Sequence, residues 1–259
     1  MPSERPPLDA LTALPTPRVW SMLVTIFGDL ARNPEDRIEG PTLTRLTEGM
    51  GLKPEAVRVA LHRLRNDDWI ASVKSGRTAS HGLTPHGRRE SLSASRIIYA
   101  RQEELPVGWQ LALLESSDAD QKPSLQAEGF VQLLPRVFVG NGQARVPQGV
   151  AVFMGDTPPN WLSAQIVPAD VTAEYETLLT ALRQTSARVA DLQPGQLRPL
   201  DVALTRCLIV HHWRRLVLRH PYLPPALTGA AWPGHLCRAE VTHLLARFQR
   251  PALHEIQGT

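Results

Sequence analysis

The chain has 259 residues, of which 42% are apolar and 20% charged, and this is enough to bury a sizeable core and to form more than one domain. Two cysteines argue against a small disulfide-stapled scaffold, and no apolar run approaches the roughly 20 residues that span a bilayer. The N-terminal segment lacks the basic-then-apolar order of a secretory signal. We therefore expect a cytoplasmic protein without a membrane partner.

The net charge is only +3, but the positive charge is concentrated in one part of the chain. Residues 51–101 contain ten Lys and Arg against four Asp and Glu, whereas the segments before and after are each slightly acidic. A basic domain on a neutral or acidic remainder is typical of a nucleic-acid-binding protein. A solvated charged surface without a partner would give the same count, so the count alone leaves both interpretations open.

The first strong pattern predicts three helices. Apolar residues between 20 and 31 recur at the spacing of one helical face. Thr42 is placed to cap a short second helix, and Gly51 suits the left-handed residue that ends it. Pro54 then fits the first turn of a third helix, PEAVRVALHRLRNDDW.

This third helix has two different faces. Val57, Ala60, Leu61 and Leu64 form an apolar stripe that should be buried, and the opposite arc, which begins at Glu55, is mostly basic. A short helix, a turn containing Gly and a helix with a basic outer face are typical of a helix-turn-helix, whose second helix fits the major groove. Basic side chains there reach base edges and phosphates. The predicted DNA-binding residues of this helix are Lys53, Arg58, His62, Arg63 and Arg65.

The next segment predicts a β-hairpin with a basic tip. Its strands are expected at Ile70–Val73 and Ser80–Leu83, with Lys74 and Arg77 at the turn as further DNA-binding residues. Such a hairpin would follow the DNA backbone or enter the minor groove. Thr84 is placed to cap a following helix. The alternative is a helical domain that ends in a polar hairpin and binds no nucleic acid.

Beyond residue 102 the pattern predicts strands that alternate with helices, which suits a small α+β sandwich. Helices are expected at 118–129 and from Asp170 or Thr172 onward. The strands are expected at 109–114, within 130–139, at 149–154 and at 161–167.

A metal-dependent nuclease built on this middle part would need clustered acidic ligands. The nearby candidates are Glu115, Asp118 and Asp156, and they form no recognisable motif. The sequence also lacks GxSxG, Walker, HExxH and GxGxxG motifs, so we expect no enzymatic activity.

The C-terminal part returns to helical periodicity, with a stripe from Leu204 to Leu218 and a last helix from Ala239. Cys207 and His211 have the i, i+4 spacing that could chelate a metal. No tight Cys/His quartet accompanies them in the sequence, so we expect no metal site.

A second interpretation of this region is a site for an anionic effector. Arg side chains can bind phosphates in bidentate fashion, and Trp can cover a flat ring. The alternative is that the arginines are solvated or paired and that the Trp belongs to the core. The candidate effector-binding residues are Trp213, Arg214, Arg215 and Arg219.

Several short segments recur in a fixed order from about residue 18 to 248. They are TIFGD at 25–29, VRVALHRL at 57–64, GR at 76–77 with LTPHG at 83–87, HWRR at 212–215, HPYLP at 220–224 and WPG at 232–234. Together they resemble the phenylacetic acid degradation repressor family, the PaaX-like regulators.

This resemblance implies an α+β multi-domain fold. Its parts are an N-terminal winged helix-turn-helix domain (1–101), a central ferredoxin-like α+β domain (102–192) and a C-terminal helical domain (193–259). The family often has an aromatic residue near the end of the wing, where this chain has His81-Gly82. That departure predicts a shorter or looser second wing strand.

The resemblance also implies function. It implies a transcriptional repressor that binds double-stranded operator DNA as a homodimer and is released by an aromatic acyl-CoA thioester such as phenylacetyl-CoA, without a cofactor. The alternatives are a nucleic-acid-binding scaffold without an effector and an enzyme, either a metal-dependent nuclease or an acyl-CoA hydrolase.

Overall fold

A computed structural model describes residues 8–15, 18–75, 78–117, 120–155, 157–191 and 196–258. These residues form helices and two antiparallel sheets, which confirms the α+β class. The chain divides into two compact units, one of Met1–Tyr99, Thr180–Arg215 and Glu240–Thr259, and one of Ala100–Leu179 and Leu216–Ala239. No helix in the described ranges combines the length and apolarity that crossing a bilayer requires.

The elements before residue 100 all belong to the first unit. They are α1 (Asp9–Thr12), α2 (Val19–Leu30), β1 (Ile38–Glu39), α3 (Gly40–Gly49), α4 (Pro54–Asn66), β2 (Ile70–Ser75), β3 (Thr78–Leu83) and α5 (Pro85–Ile98).

The later elements begin with a short 3₁₀ turn at Gln102–Glu104, and α8, α9 and α11 contribute residues to both units. In chain order they are β4 (Trp109–Leu113), α6 (Lys122–Ala127), β5 (Val131–Leu134), β6 (Val137–Asn141), β7 (Ala151–Gly155), α7 (Asn160–Ile166), α8 (Ala169–Val189), α9 (Pro199–Val217), α10 (Pro225–Thr228), α11 (Pro233–Arg247) and α12 (Leu253–Gln257).

Local capping chemistry places several helix starts where the sequence predicts them. Helix α4 begins at Pro54, and Gly51 before it has a φ of 73°, the left-handed conformation that favours glycine. The Thr84 hydroxyl accepts a hydrogen bond from the Gly87 N–H and caps α5. The cap predicted at Thr42 is wrong, because α3 already begins at Gly40 and Thr42 is buried inside the helix.

Strands β2 and β3 form a hairpin in continuous register, from Ile70 opposite Leu83 to Ser75 opposite Thr78, and β1 pairs with the other edge of β3. The shorter second strand expected from His81-Gly82 is therefore wrong. The His81 ring is buried and its Nδ1 lies 2.7 Å from the Ser72 hydroxyl. A Cβ on Gly82 would lie 2.6 Å from the Asp36 carbonyl oxygen, so this strand position requires glycine.

The second unit contains a four-stranded antiparallel sheet with the order β5-β6-β4-β7. Ala112, Leu125 and Phe138 form part of a buried cluster against it. The strand predicted at 161–167 is wrong, because these residues form the helix α7. Leu162 and Ile166 are four residues apart and pack into one apolar cluster, which is the spacing of a helical face and not of a strand.

Three C-terminal helices also differ in extent from the predictions. Helix α8 begins at Ala169, before the predicted caps, and α11 begins at Pro233 instead of Ala239 because proline is favoured in a first turn. In α9 all residues from 203 to 213 are buried, so it is a core helix without an outer face there. The predicted buried stripe fails at its end, where Leu218 lies beyond the helix and is exposed.

Candidate nucleic-acid interface

Helix α4 buries its apolar stripe and leaves the basic arc in solvent. Val57, Ala60 and Leu64 are buried, Leu61 of the predicted stripe is only half-buried, and Val59, on the opposite side, is 70% exposed. The arc thus faces outward, as the helical periodicity predicts. All five residues predicted to bind DNA here are exposed, with Lys53 just before the helix and Arg58, His62, Arg63 and Arg65 on the arc.

Backbone hydrogen bonds fix the base of the hairpin to the end of α4. The Trp69 N–H donates to the Leu64 carbonyl at 2.8 Å, and the Thr84 N–H donates to the Trp69 carbonyl at 3.0 Å. The Thr84 hydroxyl donates to the Asp68 carbonyl, and Asp68 has a φ of 55° in this tight connection. The arc and the hairpin are therefore held together at one junction.

The charge at the C-terminal end of the arc acts on a residue of the hairpin. Burial lowers the pKa of His81 on β3, and the positive charge of Arg65 lowers it further. Lys74 is exposed on β2. Arg77, the other predicted hairpin cation, lies outside the described residues.

The cations of this surface differ in how they are paired. The Arg63 Nε lies 3.5 Å from Asp67, and the His62 Nδ1 lies 3.3 Å from the Asn66 amide. The other cations of this surface form no ion pair with a carboxylate of the described ranges. They are Lys53, Arg58, Arg65 and Lys74.

Two of the candidate effector-binding residues belong to the interior of the first unit. Trp213 is only 1% exposed, and its indole N–H donates to the Ile98 carbonyl at 2.9 Å. Arg214 is half-buried and donates to the Ser21 carbonyl and the Thr25 hydroxyl, both at 3.1 Å.

Arg214 also lines a cavity of about 30 Å³. This volume holds about one water molecule and is too small for an aromatic ring. Of the other two candidates, Arg215 is exposed, and Arg219 is exposed in the second unit, where it pairs with Glu174. The assignment of these residues to an effector stays a prediction.

The residues considered for metal chemistry are dispersed. Cys207 and His211 are fully buried on α9, and the His211 Nδ1 lies 3.1 Å from the Thr25 hydroxyl. Glu115 is exposed, and Asp118 and Asp156 lie outside the described residues. In the part of the chain that the structure describes, no group of three or more His, Cys, Asp or Glu side chains could hold a metal ion.

Sequence reasoning missed a buried ionic cluster in the first unit. Asp29 on α2 is 1% exposed and accepts hydrogen bonds from Arg206 Nε at 2.6 Å, from Arg206 Nη2 at 3.0 Å and from the Tyr99 hydroxyl at 2.7 Å. Burial alone would raise the pKa of Asp29, but Arg206, Tyr99 and Arg250 together hold it below its usual value. The signal in the sequence that could have indicated this cluster is a carboxylate on an otherwise apolar helix.

Comparisons with known proteins follow these features along the chain. The family model described as PaaX-like protein matches residues 18–87, which include α2, the basic arc and the hairpin. A second model, PaaX-like protein C-terminal domain, matches residues 168–257. The chain is 28% identical over 258 residues to the transcriptional repressor PaaX of Escherichia coli strain K12, which covers 90% of this chain and 81% of that protein.

The two models and the relative agree with the resemblance carried by the short sequence segments. The chain belongs to the PaaX-like protein family.

Proposed function

We propose that this protein is a DNA-binding transcriptional regulator of phenylacetic acid catabolism, and a repressor rather than an enzyme. One observation carries the proposal: an outward basic arc on α4 is joined at its end to a hairpin that bears Lys74. A helix with this face fits the major groove, and the hairpin follows the backbone. The similarity to a transcriptional repressor supports the same function.

The topology of the first unit supports a winged helix-turn-helix. Helices α3 and α4 are joined by a short turn containing Gly51, and β1, which precedes α3, pairs with the hairpin of β2 and β3 in a three-stranded sheet. In this proposal Arg58, His62 and Arg65 contact base edges, whereas Lys53 and Lys74 contact phosphates.

The second unit supports a ferredoxin-like domain in part. Strands β4, β5, β6 and β7 follow the order and the alternating directions of that fold, and α6 connects the first two of them. Between β6 and β7, however, a loop replaces the second crossover helix. Boundaries near residues 101 and 192 remain a prediction.

A homodimer is part of the proposal, and β7 supports it. This strand is at the edge of its sheet, it carries no charge, and Phe153 at its centre and Met154 beside it are 56% and 74% exposed. An open apolar edge is a template for another strand. Antiparallel pairing about a twofold axis would place Phe153 opposite the same residue of a second copy, which suits a symmetric dimer on a palindromic operator.

Operator binding by three variants tests the function. We expect Arg58→Ala to weaken binding to the promoter region of the regulated operon by about 1–3 kcal/mol, because it removes a groove contact. Lys74→Ala should weaken binding to all sequences alike. Arg183→Ala removes another exposed cation, on α8, and serves as the control. Unchanged affinity in both test variants by fluorescence anisotropy would refute the groove assignment.

Release by an aryl-CoA thioester is tested separately. Phenylacetyl-CoA should displace the protein from operator DNA and raise its melting temperature, because a ligand at 100 times its dissociation constant stabilises by about 2.7 kcal/mol. Free coenzyme A and phenylacetate are the controls. If displacement fails while operator binding persists, the protein is a regulator of another signal or a scaffold without an effector.

A further inference from the structure

Three arginines converge on one buried carboxylate in the first unit. Arg206 donates hydrogen bonds to both carboxylate oxygens of Asp29 and forms a bidentate ion pair with it. Arg250 reaches the same carboxylate through one nitrogen at 3.4 Å, and Arg32 Nη2 lies 3.5 Å away. A single carboxylate cannot neutralise three guanidinium groups, so positive charge is left over here.

The excess positive charge is carried by the guanidinium groups of Arg32 and Arg250. Arg32 donates its Nε to the Gly28 carbonyl at 2.9 Å, but its buried Nη2 has no hydrogen-bond acceptor. Burial lowers the pKa of Arg250, and of the neighbouring charges Asp29 raises it while Arg32 and Arg206 lower it. Leaving a buried guanidinium nitrogen without an acceptor is unfavourable, so Arg32 would gain from a nearby anion.

Both arginines line one cavity of about 480 Å³. This size is within the range of small-molecule sites. His254 adds a further donor to the lining, and the guanidinium of Arg32 is held over the Tyr99 ring with 4.4 Å to its centroid. The lining also contains Asp36, whose carboxylate already accepts the Asn33 N–H at 2.8 Å.

We propose that Arg32 and Arg250 form a binding site for the phosphate group of a small-molecule ligand. Guanidinium groups match a phosphate in geometry and charge, and the fixed position of Arg32 reduces the ordering cost of binding. The site does not involve the basic arc of α4, so it goes beyond the proposed function. It stands whether or not the ligand is the one that releases DNA.

Inorganic phosphate is the probe for this site. The full-length protein is titrated with phosphate at constant ionic strength, balanced with chloride, and the side-chain Nε–H signals of its arginines are followed by NMR. We expect saturable shifts at Arg32 and Arg250. Arg250→Gln should weaken phosphate binding by about tenfold or more, the effect of losing one charged hydrogen bond.

Two further variants make the result decisive. Arg32→Gln should weaken binding similarly, which keeps the test open if Arg250→Gln does not fold. Arg183→Gln removes the same charge from an exposed position of the same unit and should leave phosphate binding unchanged. Linear shifts without saturation, or equal binding in all variants, would overturn the proposal.

Operator binding is measured on the same samples. If Arg250→Gln weakens operator binding and phosphate does not saturate the wild type, these arginines contact the DNA backbone and the small-molecule site is refuted. If the wild type binds no operator, the proposed function fails, and the phosphate titration still decides the present inference.

Discussion

Replacing Asp29 with asparagine removes the charge at the centre of the buried ionic cluster and keeps the shape of the side chain. Arg206 is then left with its side chain only 7% exposed and without a counter-ion. Removing one partner of a buried pair costs about 3–5 kcal/mol. This is a large part of the roughly 5–15 kcal/mol that stabilises a typical domain.

The assay for Asp29→Asn is urea unfolding at pH 7, followed by circular dichroism, with the denaturant slope compared between variants. Arg188→Gln is the matched control, because it breaks the exposed Asp9–Arg188 pair and should cost less than about 1 kcal/mol. In a double-mutant cycle, Arg206→Met should cost less in the Asp29→Asn background than alone. A loss below about 1 kcal/mol for Asp29→Asn would refute the reasoning.

Three further predictions concern the interface, the dimer and acid stability. Lys74→Ala should reduce the slope of log affinity against log salt concentration by about 1, since one phosphate contact is lost, and an unchanged slope would place Lys74 off the DNA. Met154→Glu should shift the mass measured by light scattering from that of a dimer to that of a monomer. Val107→Glu adds the same charge at another exposed position of the second unit and should leave the dimer intact. If Met154→Glu remains a dimer, β7 is not the interface. Burial lowers the pKa of His211 to about 3 and of His212 to about 4. The free energy of unfolding should therefore fall as the pH drops below about 6.5, by up to about 1.4 kcal/mol per pH unit for each ring. The fall should level off near the pKa values of the two rings in the folded protein. Urea midpoints that stay flat between pH 7 and 5 would contradict this.

Local chemistry made the first hundred residues largely predictable. The start of α4 follows from Pro54, the cap of α5 from Thr84, and the outward arc from the spacing of Val57, Ala60 and Leu64. Each of these signals acts within one or two helical turns, so the sequence alone carries it.

Features that depend on distant partners were not predictable in the same way. The segment that forms α7 is apolar enough for a strand, and the apolar cluster that its Leu162 and Ile166 join contains the distant residues Leu223 and Leu227. Asp29 meets Arg206 across 177 positions of the chain. No local pattern indicates which of the 28 basic residues would serve as its partner.

The composition of the first unit from three separate chain segments constrains how the protein is made. Asp29 is synthesised well before Arg206 and Arg250, which follow 177 and 221 positions later. Until then the carboxylate on α2 lacks its bidentate partner, and the helix lacks the apolar surface of α9. The N-terminal part therefore stays incomplete until these later segments are available, and the helices beneath the basic arc gain their full support only then.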